Sequence, residues 1–308
     1  MKISVRMEGG LGDHLLANRF VPAILDKYEN AEIHLFSDTG GKTLQSDTLL
    51  SLYDFYKSRT LIERKSKTYS MHSQFGKENF PAHINNIKDD QRRFMLGFDR
   101  FFNFHIDWME WTRYDIHWQN YFFHFPKPSL EFPRVSQGKE YIVMHIASDN
   151  MGNNHRMSKR YLNSIIPRIP SNYLIKVLST PSTEKFVTQS IDERTRVEIV
   201  NLPLPEAISL VKHASGLIAI DSGIKYFGYT FNIPTVCWAK ESTRANSCPL
   251  AFQARWLTFP QTVFPLEHNP ESLVQTLLNL IESNNFILAP SLKSNELDKH
   301  LIRRVTLE

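Results

Sequence analysis

Cysteine is scarce in this chain: Cys237 and Cys248 are the only two. Two thiols make no disulfide framework, and no Cys/His spacing resembles a zinc site. Both are expected to stay reduced. No stretch approaches the ~18 apolar residues that a membrane helix needs. The opening residues 1–10 carry charge too early, and too little apolar length, for a signal peptide. These absences predict a cytoplasmic protein. Internal repeats and low-complexity segments are also missing, which excludes solenoids and biased linkers. Nor is there a strong excess of either charge. Net charge is +4, with 18 Lys/Arg against 17 Asp/Glu up to residue 135 and 18 against 15 beyond it. Charge alone therefore neither requires nor excludes a nucleic-acid partner.

What is present fits a globular α/β protein. The chain has 308 residues, 42% hydrophobic and 22% charged, which suits two domains of about 150 residues each. Pro126, Pro128, Pro133 and Gly138 mark a linker. The expected domains are 1–137 and 138–288, with a polar tail, 289–308, packing back toward the first.

The first 40 residues read as strand (3–7), glycine loop, helix (15–28, kinked or broken at Pro22) and strand (33–36). That βαβ opening implies a parallel sheet. The next stretch predicts helices near 43–57 and 88–103. It also holds a basic run, Lys57, Arg59, Arg64, Lys65 and Lys67, which is either a solvated face or a grip on an anionic acceptor. An aromatic segment over 94–125 reads foremost as packing, with an acceptor platform as the functional alternative. From Tyr141 onward, strands and helices alternate: strands at 141–146, 173–178, 197–200, 216–220 and 235–238, helices at 161–169, 182–190, 205–214, 225–231 and 270–283. This pattern describes a second doubly wound, Rossmann-like domain.

Three polar loops follow strands and carry the candidate chemistry. In the first, Gly10 and Gly12 allow a tight turn and a close ligand approach. Asp13 then stands where a helix begins, at the carboxyl edge of the sheet. There it can act as a helix N-cap or draw a proton from a hydroxyl. His14 follows it. The same loop resembles a dinucleotide fingerprint, with Asp38 as ribose contact, but Leu15 replaces the third glycine. The second loop runs His145-Ile146-Ala147-Ser148 and is followed by Arg156, Lys159 and Arg160, cations that can neutralise a leaving diphosphate. In the third, Asp221-Ser222-Gly223 joins a strand to a helix. Ser222 and Gly223 would present backbone N–H groups to a phosphate, and Asp221 would hold the turn.

In order, these pieces resemble glycosyltransferase family 9, the heptosyltransferase-like group with the GT-B architecture of two Rossmann-like domains facing a cleft. The resemblance rests on residues 6–15, on Ser158-Lys159-Arg160-Tyr161, and most closely on Leu217 to Ala239 with Ile233-Pro234-Thr235-Val236. It spans the first 25 residues and most of the C-terminal half, and is faint between 42 and 135. It implies Asp13 as catalytic base. It implies donor contacts from Gly10, Gly12, Lys159, Asp221, Ser222 and Gly223, with Glu184 or its neighbour Thr183 on the ribose and Glu198 to Leu202 beside the base. His14, Ser148, Arg156 and Tyr226 are further donor or acceptor contacts. Tyr226 stands where the family usually has His, and Tyr carries no charge at neutral pH.

The expected reaction is an inverting, metal-independent transfer from a nucleotide-diphosphate sugar, since no Asp-x-Asp pair is present to hold a divalent ion. No cofactor is expected. The acceptor would be a surface saccharide or a hydroxylated DNA base. A nucleotide-sugar epimerase and a non-catalytic nucleotide-sugar-binding protein are the alternatives with the same two-domain plan.

Overall fold

A computed structural model of the chain describes residues 2–8, 11–18, 21–38, 52–61, 92–97, 105–106, 126–129, 131–132, 138, 140–148, 156–192, 195–220, 222–238, 262–263 and 269–282. The chain divides into two compact units, the first built on the residues up to Leu130 and the second beginning at Glu131. Among the described residues no helix is long and apolar enough to cross a membrane. Cys237 is buried.

The first unit contains β1 (Lys2–Glu8), α1 (Leu11–Asn18), α2 (Val21–Lys27), β2 (Glu32–Asp38), β3 (Tyr56–Leu61), β4 (Arg92–Gly97) and β5 (His105–Ile106). The sheet order is β3-β2-β1-β4-β5. Pairing is parallel except between β4 and β5. Ile3 and Val5 alternate into the core from β1, and Ile33 and Leu35 do so from β2. Burying each such side chain contributes about 1.5–3 kcal/mol. The helix expected to be kinked or broken is two helices, α1 and α2. Pro22 occupies the second position of α2, where a missing N–H costs nothing.

One predicted helix gives way to a strand. Within 43–57, residues 43–51 lie outside the described set, Leu52 is helical and Tyr56 begins β3. Within 88–103, Arg92–Gly97 is strand β4, in parallel register with β1 from Ile3↔Arg92 to Met7↔Leu96. A short apolar run cannot be assigned to helix or strand by periodicity alone, and here the partner strand decides. Of the basic run, Lys57 is exposed and Arg59 half-buried on β3, and the other three lie outside the described residues. The aromatic segment beyond Ile106 and the tail 289–308 lie outside them as well.

The second unit contains β6 (Tyr141–His145), α3 (Lys159–Ile165, extended by a 3-10 turn, Ile166–Arg168), β7 (Leu174–Ser179), α4 (Glu184–Ser190), β8 (Val197–Asn201), α5 (Leu204–Lys212), β9 (Gly216–Ile220), α6 (Gly223–Thr230), β10 (Thr235–Trp238), β11 (Thr262–Val263) and α7 (Pro270–Glu282). All six strands are parallel, in the order β8-β7-β6-β9-β10-β11. The chain winds outward from β6 to β8, returns across the sheet, and winds outward again from β9. The switch point of this doubly wound sheet lies between β6 and β9. Every residue of β6, β9 and β10 is buried, as expected for parallel strands covered on both faces. Edge-ward β8 is only partly buried.

Helix ends are closed by local chemistry. Ser158 Oγ accepts from Tyr161 N at 3.2 Å and caps α3. Arg196 donates to the carbonyls of Ile166, Ile169 and Pro170, which satisfies the other end of that segment. α6 stops at Asn232, whose φ is 58°. Asn232 N donates to Tyr229 O and Ile233 N to Gly228 O. This is a left-handed stop of a kind that Asn tolerates. Gly228 also lets α6 lie close on the sheet. A Cβ there would collide with Thr235 Oγ1 and stand 3.0 Å from Leu217 Cδ2, and Thr235 Oγ1 is itself held by donation to Ile233 O. Gly228→Ala is expected to destabilise the protein by ~1–3 kcal/mol from overpacking, despite its better helix propensity. Denaturant unfolding at constant slope would measure it, and a variant as stable as the parent would show that α6 can shift.

Candidate active site

In open α/β sheets the strands' carboxyl ends face the ligand, and the gap at the switch point is left uncovered by connections. In the second unit that gap is flanked by His145, the last residue of β6, and by the turn between β9 and α6. His145 pairs in register with Ala219 of β9. Its Nδ1 shares a 2.8 Å hydrogen bond with Ser222 Oγ. His145 is 6% exposed. Ser222 is the N-cap of α6, extended at φ −154° and ψ 170°, yet its side chain makes no cap hydrogen bond. Gly223 is the first residue of α6. Lys225, in the same first turn, is fully buried, and its ammonium lies 4.8 Å from the Tyr226 ring centroid. Tyr226 is buried and packs edge-on against Tyr229. Asp221 lies outside the described residues.

The rim continues past β6. Ala147 and Arg156 form an isolated antiparallel bridge, and Met157 N donates to Ile146 O at 2.9 Å, so Arg156 and Met157 lie against the chain that leaves β6. Ser148 is half-buried at its start. The Arg156 guanidinium stands 5.4 Å over the Phe186 ring, which places a cation above the first turn of α4. Beyond β7, Thr180, Ser182 and Thr183 form a hydroxyl turn. Thr180 N donates to Thr183 Oγ1 at 2.9 Å, and the Thr180 hydroxyl lies 3.1 Å from those of both Ser182 and Thr183. Thr183 is fully buried in this turn, whereas Glu184 is exposed and accepts from Asn201 Nδ2 at 3.4 Å. Of the two ribose candidates, only Glu184 offers its polar group to solvent. Glu198, expected beside a base, is paired with Lys176 at 2.9 Å.

Lys159 is the first residue of α3, and its Nζ forms a 2.7 Å ion pair with Asp192. Asn163 fixes that carboxylate by donating to Asp192 Oδ2 and accepting from Asp192 N, both at 3.0 Å. The pair is more than half exposed, so it is worth little on its own. A diphosphate would draw Lys159 away at small cost. Tyr161 packs against Trp238, ring centroids 5.7 Å apart. Its hydroxyl is buried with no hydrogen-bond partner among the described residues, and burial pushes the phenol up to about 12.

In the first unit, helix α1 already includes Leu11. Asp13 therefore stands in the first turn rather than at the N-cap, where a carboxylate interacts favourably with the helix dipole. The position of its carboxylate, and Gly10, lie outside the described residues. Gly12 is half-buried. His14 is fully buried. In the sequence His145 reads only as the start of the second polar loop, with no role of its own, although a histidine closing an otherwise apolar buried strand is itself a signal.

No family model matches the sequence, and no curated protein matches it. Solved structures do. ADP-heptose lps heptosyltransferase II of E. coli superimposes with a TM-score of 0.61 at 11% identity, over 92% of this chain and 99% of that one. E. coli heptosyltransferase WaaC with ADP gives 0.58 at 10% identity, over 92% of this chain and 100% of that one. A glycosyl transferase family 9 structure from Veillonella parvula gives 0.56 at 11% identity, over 100% and 98%. At these identities the likeness is one of fold. The chain has the α/β architecture of the heptosyltransferase-like GT-B structures.

Tyr161 yields a stability test. An unpartnered buried hydroxyl costs ~1–3 kcal/mol, so Tyr161→Phe is expected to raise stability by up to that amount near pH 8. The folded phenol titrates above its unfolded value of about 10. Its contribution is therefore fully present below pH ~10 and lost as pH rises through about 12. Urea titrations at pH 8 and pH 11 should show a shallower alkaline loss in the variant. A variant less stable at pH 8 would reveal a partner for the hydroxyl.

Proposed function

We propose that this protein is an inverting glycosyltransferase that moves a sugar from a nucleotide-diphosphate donor to an acceptor hydroxyl without a divalent metal, acting in the cytoplasm. The observation that carries this reading is the α6 N-terminus at the switch point, where Ser222 and Gly223 begin a helix that no serine side chain caps. Backbone N–H groups at such an end suit a departing diphosphate. The shared fold supports the reading, because WaaC was solved with ADP.

The chemistry is a single displacement. Asp13 accepts the acceptor hydroxyl's proton, the oxygen attacks the anomeric carbon, and the bond to the nucleoside diphosphate breaks with inversion. The diphosphate's negative charge falls to the first turn of α6, to Lys159 once it leaves Asp192, and to Arg156. Glu184 accepts from the ribose hydroxyls. The acceptor is a surface saccharide or a hydroxylated DNA base.

Turnover with a panel of ADP- and UDP-sugars tests this. Asp13→Asn is expected to lower turnover by ~100-fold or more, the scale of a general base, while ADP still raises the melting temperature. An Asn variant of full activity would remove Asp13 from the mechanism. Activity is expected to persist in EDTA, and a strict magnesium requirement would overturn the metal-free reading. Incubation with donor alone should leave the sugar unchanged; an epimerised sugar would identify an epimerase. Against DNA, binding that collapses between 50 and 200 mM salt would identify DNA as the polymer carrying the acceptor base, whereas a saccharide acceptor would show little salt dependence.

A further inference from the structure

Helix α1 has eight residues, with Asp13 in its first turn and Asn18 as its last residue. A helix this short is marginal by itself, so tertiary contacts set its place. Leu15 and His14 are buried along it, and Asn18 is 1% exposed. Asn18 Oδ1 accepts a hydrogen bond from the Tyr56 hydroxyl, across 38 residues of sequence. Burial pushes the Tyr53 phenol up, and Asn18, beside it, holds it back in part. No group meets Asn18 Nδ2 at hydrogen-bond geometry.

The partner side is fixed too. Ile33 of β2 pairs with Tyr56 of β3, but the next residue, His34, pairs with Ser58, so Lys57 is an inserted residue. Residues two apart in a regular strand share a face. This bulge places Tyr56 and Ser58 on opposite faces instead. Tyr56 goes with buried Ile33, and Ser58 Oγ lies 2.6 Å from His34 Nδ1. The Tyr53 ring stacks on Phe55, centroids 5.0 Å apart, and Phe55 meets Tyr56 edge-on at 4.6 Å. Ser129 ties down the turn ahead of β3: its N donates to Leu52 O at 2.8 Å, and its Oγ accepts from Asp54 N at 3.0 Å.

An asparagine at position 18 does not serve stability. It is a poor helix former, and a buried amide N–H without a partner costs ~1–3 kcal/mol. What the polar contact supplies is direction. Apolar burial is non-directional, whereas a hydrogen bond weakens steeply once it is bent. We propose that Asn18 is a positioning residue: bonded to Tyr56, it fixes α1 along and about its axis, and with it the first turn that carries Asp13, about 7.5 Å away on the same helix. The inference rests on Asp13 as general base and deepens that reading.

The test compares the parent, Tyr56→Phe, and Asn18→Leu combined with Tyr56→Phe. Melting temperature, ADP affinity by calorimetry, and kcat on the panel of ADP- and UDP-sugars are measured for each. The double variant removes both polar partners together, so it is expected to be at least as stable as the parent. Its kcat is expected to fall ~10–100-fold, the scale of a ~1 Å misplacement of a reacting group. ADP affinity should stay within about twofold of the parent, because Lys159, Ser222 and Gly223 belong to the second unit. Tyr56→Phe should slow kcat in the same direction with ADP affinity kept. A merely structural role would lower stability and leave the turnover of folded protein alone. A double variant with the parent's kcat, or one less stable than the parent, overturns the proposal while leaving Asp13 as the base. A parent that turns over none of the panel, or Asp13→Asn with full activity, overturns the reading of Asp13 itself.

Discussion

Parallel pairing of β6 with β9 is the constraint from which the second unit's chemistry follows. Both strands are buried from end to end, so a one-residue slip would carry every side chain to the opposite face. The register therefore holds His145 beside Ala219. After these strands the chain leaves on opposite sides of the sheet, toward α3 and toward α6. That divergence leaves the edge between them uncovered and aims a helix N-terminus at it. The position of the His145–Ser222 bond is a consequence of strand register rather than of loop flexibility.

Around that edge the charges are arranged sparingly. Backbone amides of α6 offer partial positive charge without a side chain to desolvate. Lys225 is buried in the first turn of that helix, Arg156 stands over Phe186, and Lys159 sits in an exposed pair with Asp192. Such a surface pair is weak in water and screened by salt. Glu184, exposed, accepts from Asn201.

Much of the second unit was legible residue by residue. Runs such as Gly216–Ile220 and Thr235–Trp238 are short, apolar and bounded by turn residues, and both form strands with those limits. Ser222-Gly223 read as a helix opening because it joins an apolar strand to a helical run, although many turns share that pattern. Reading failed at 88–103, where Arg92–Gly97 carries no periodicity that separates helix from strand, and it assigned no element to residues 58–61 of β3. The two-residue strands His105–Ile106 and Thr262–Val263 leave no pattern at all.

The sequence by itself determined the αβ alternation, the polar loops after β1, β6 and β9, and the scarcity of cysteine and of long apolar runs, because these depend on local propensity and composition. Only the tertiary structure decided which strands are neighbours, and with that the meeting of His145 and Ser222, the pairing of Lys159 with Asp192, and the burial of Lys225 and His14. Those facts depend on contacts between residues far apart in the chain. Hydrogen bonds and ion pairs act over a few ångströms of space, and no local pattern records that distance.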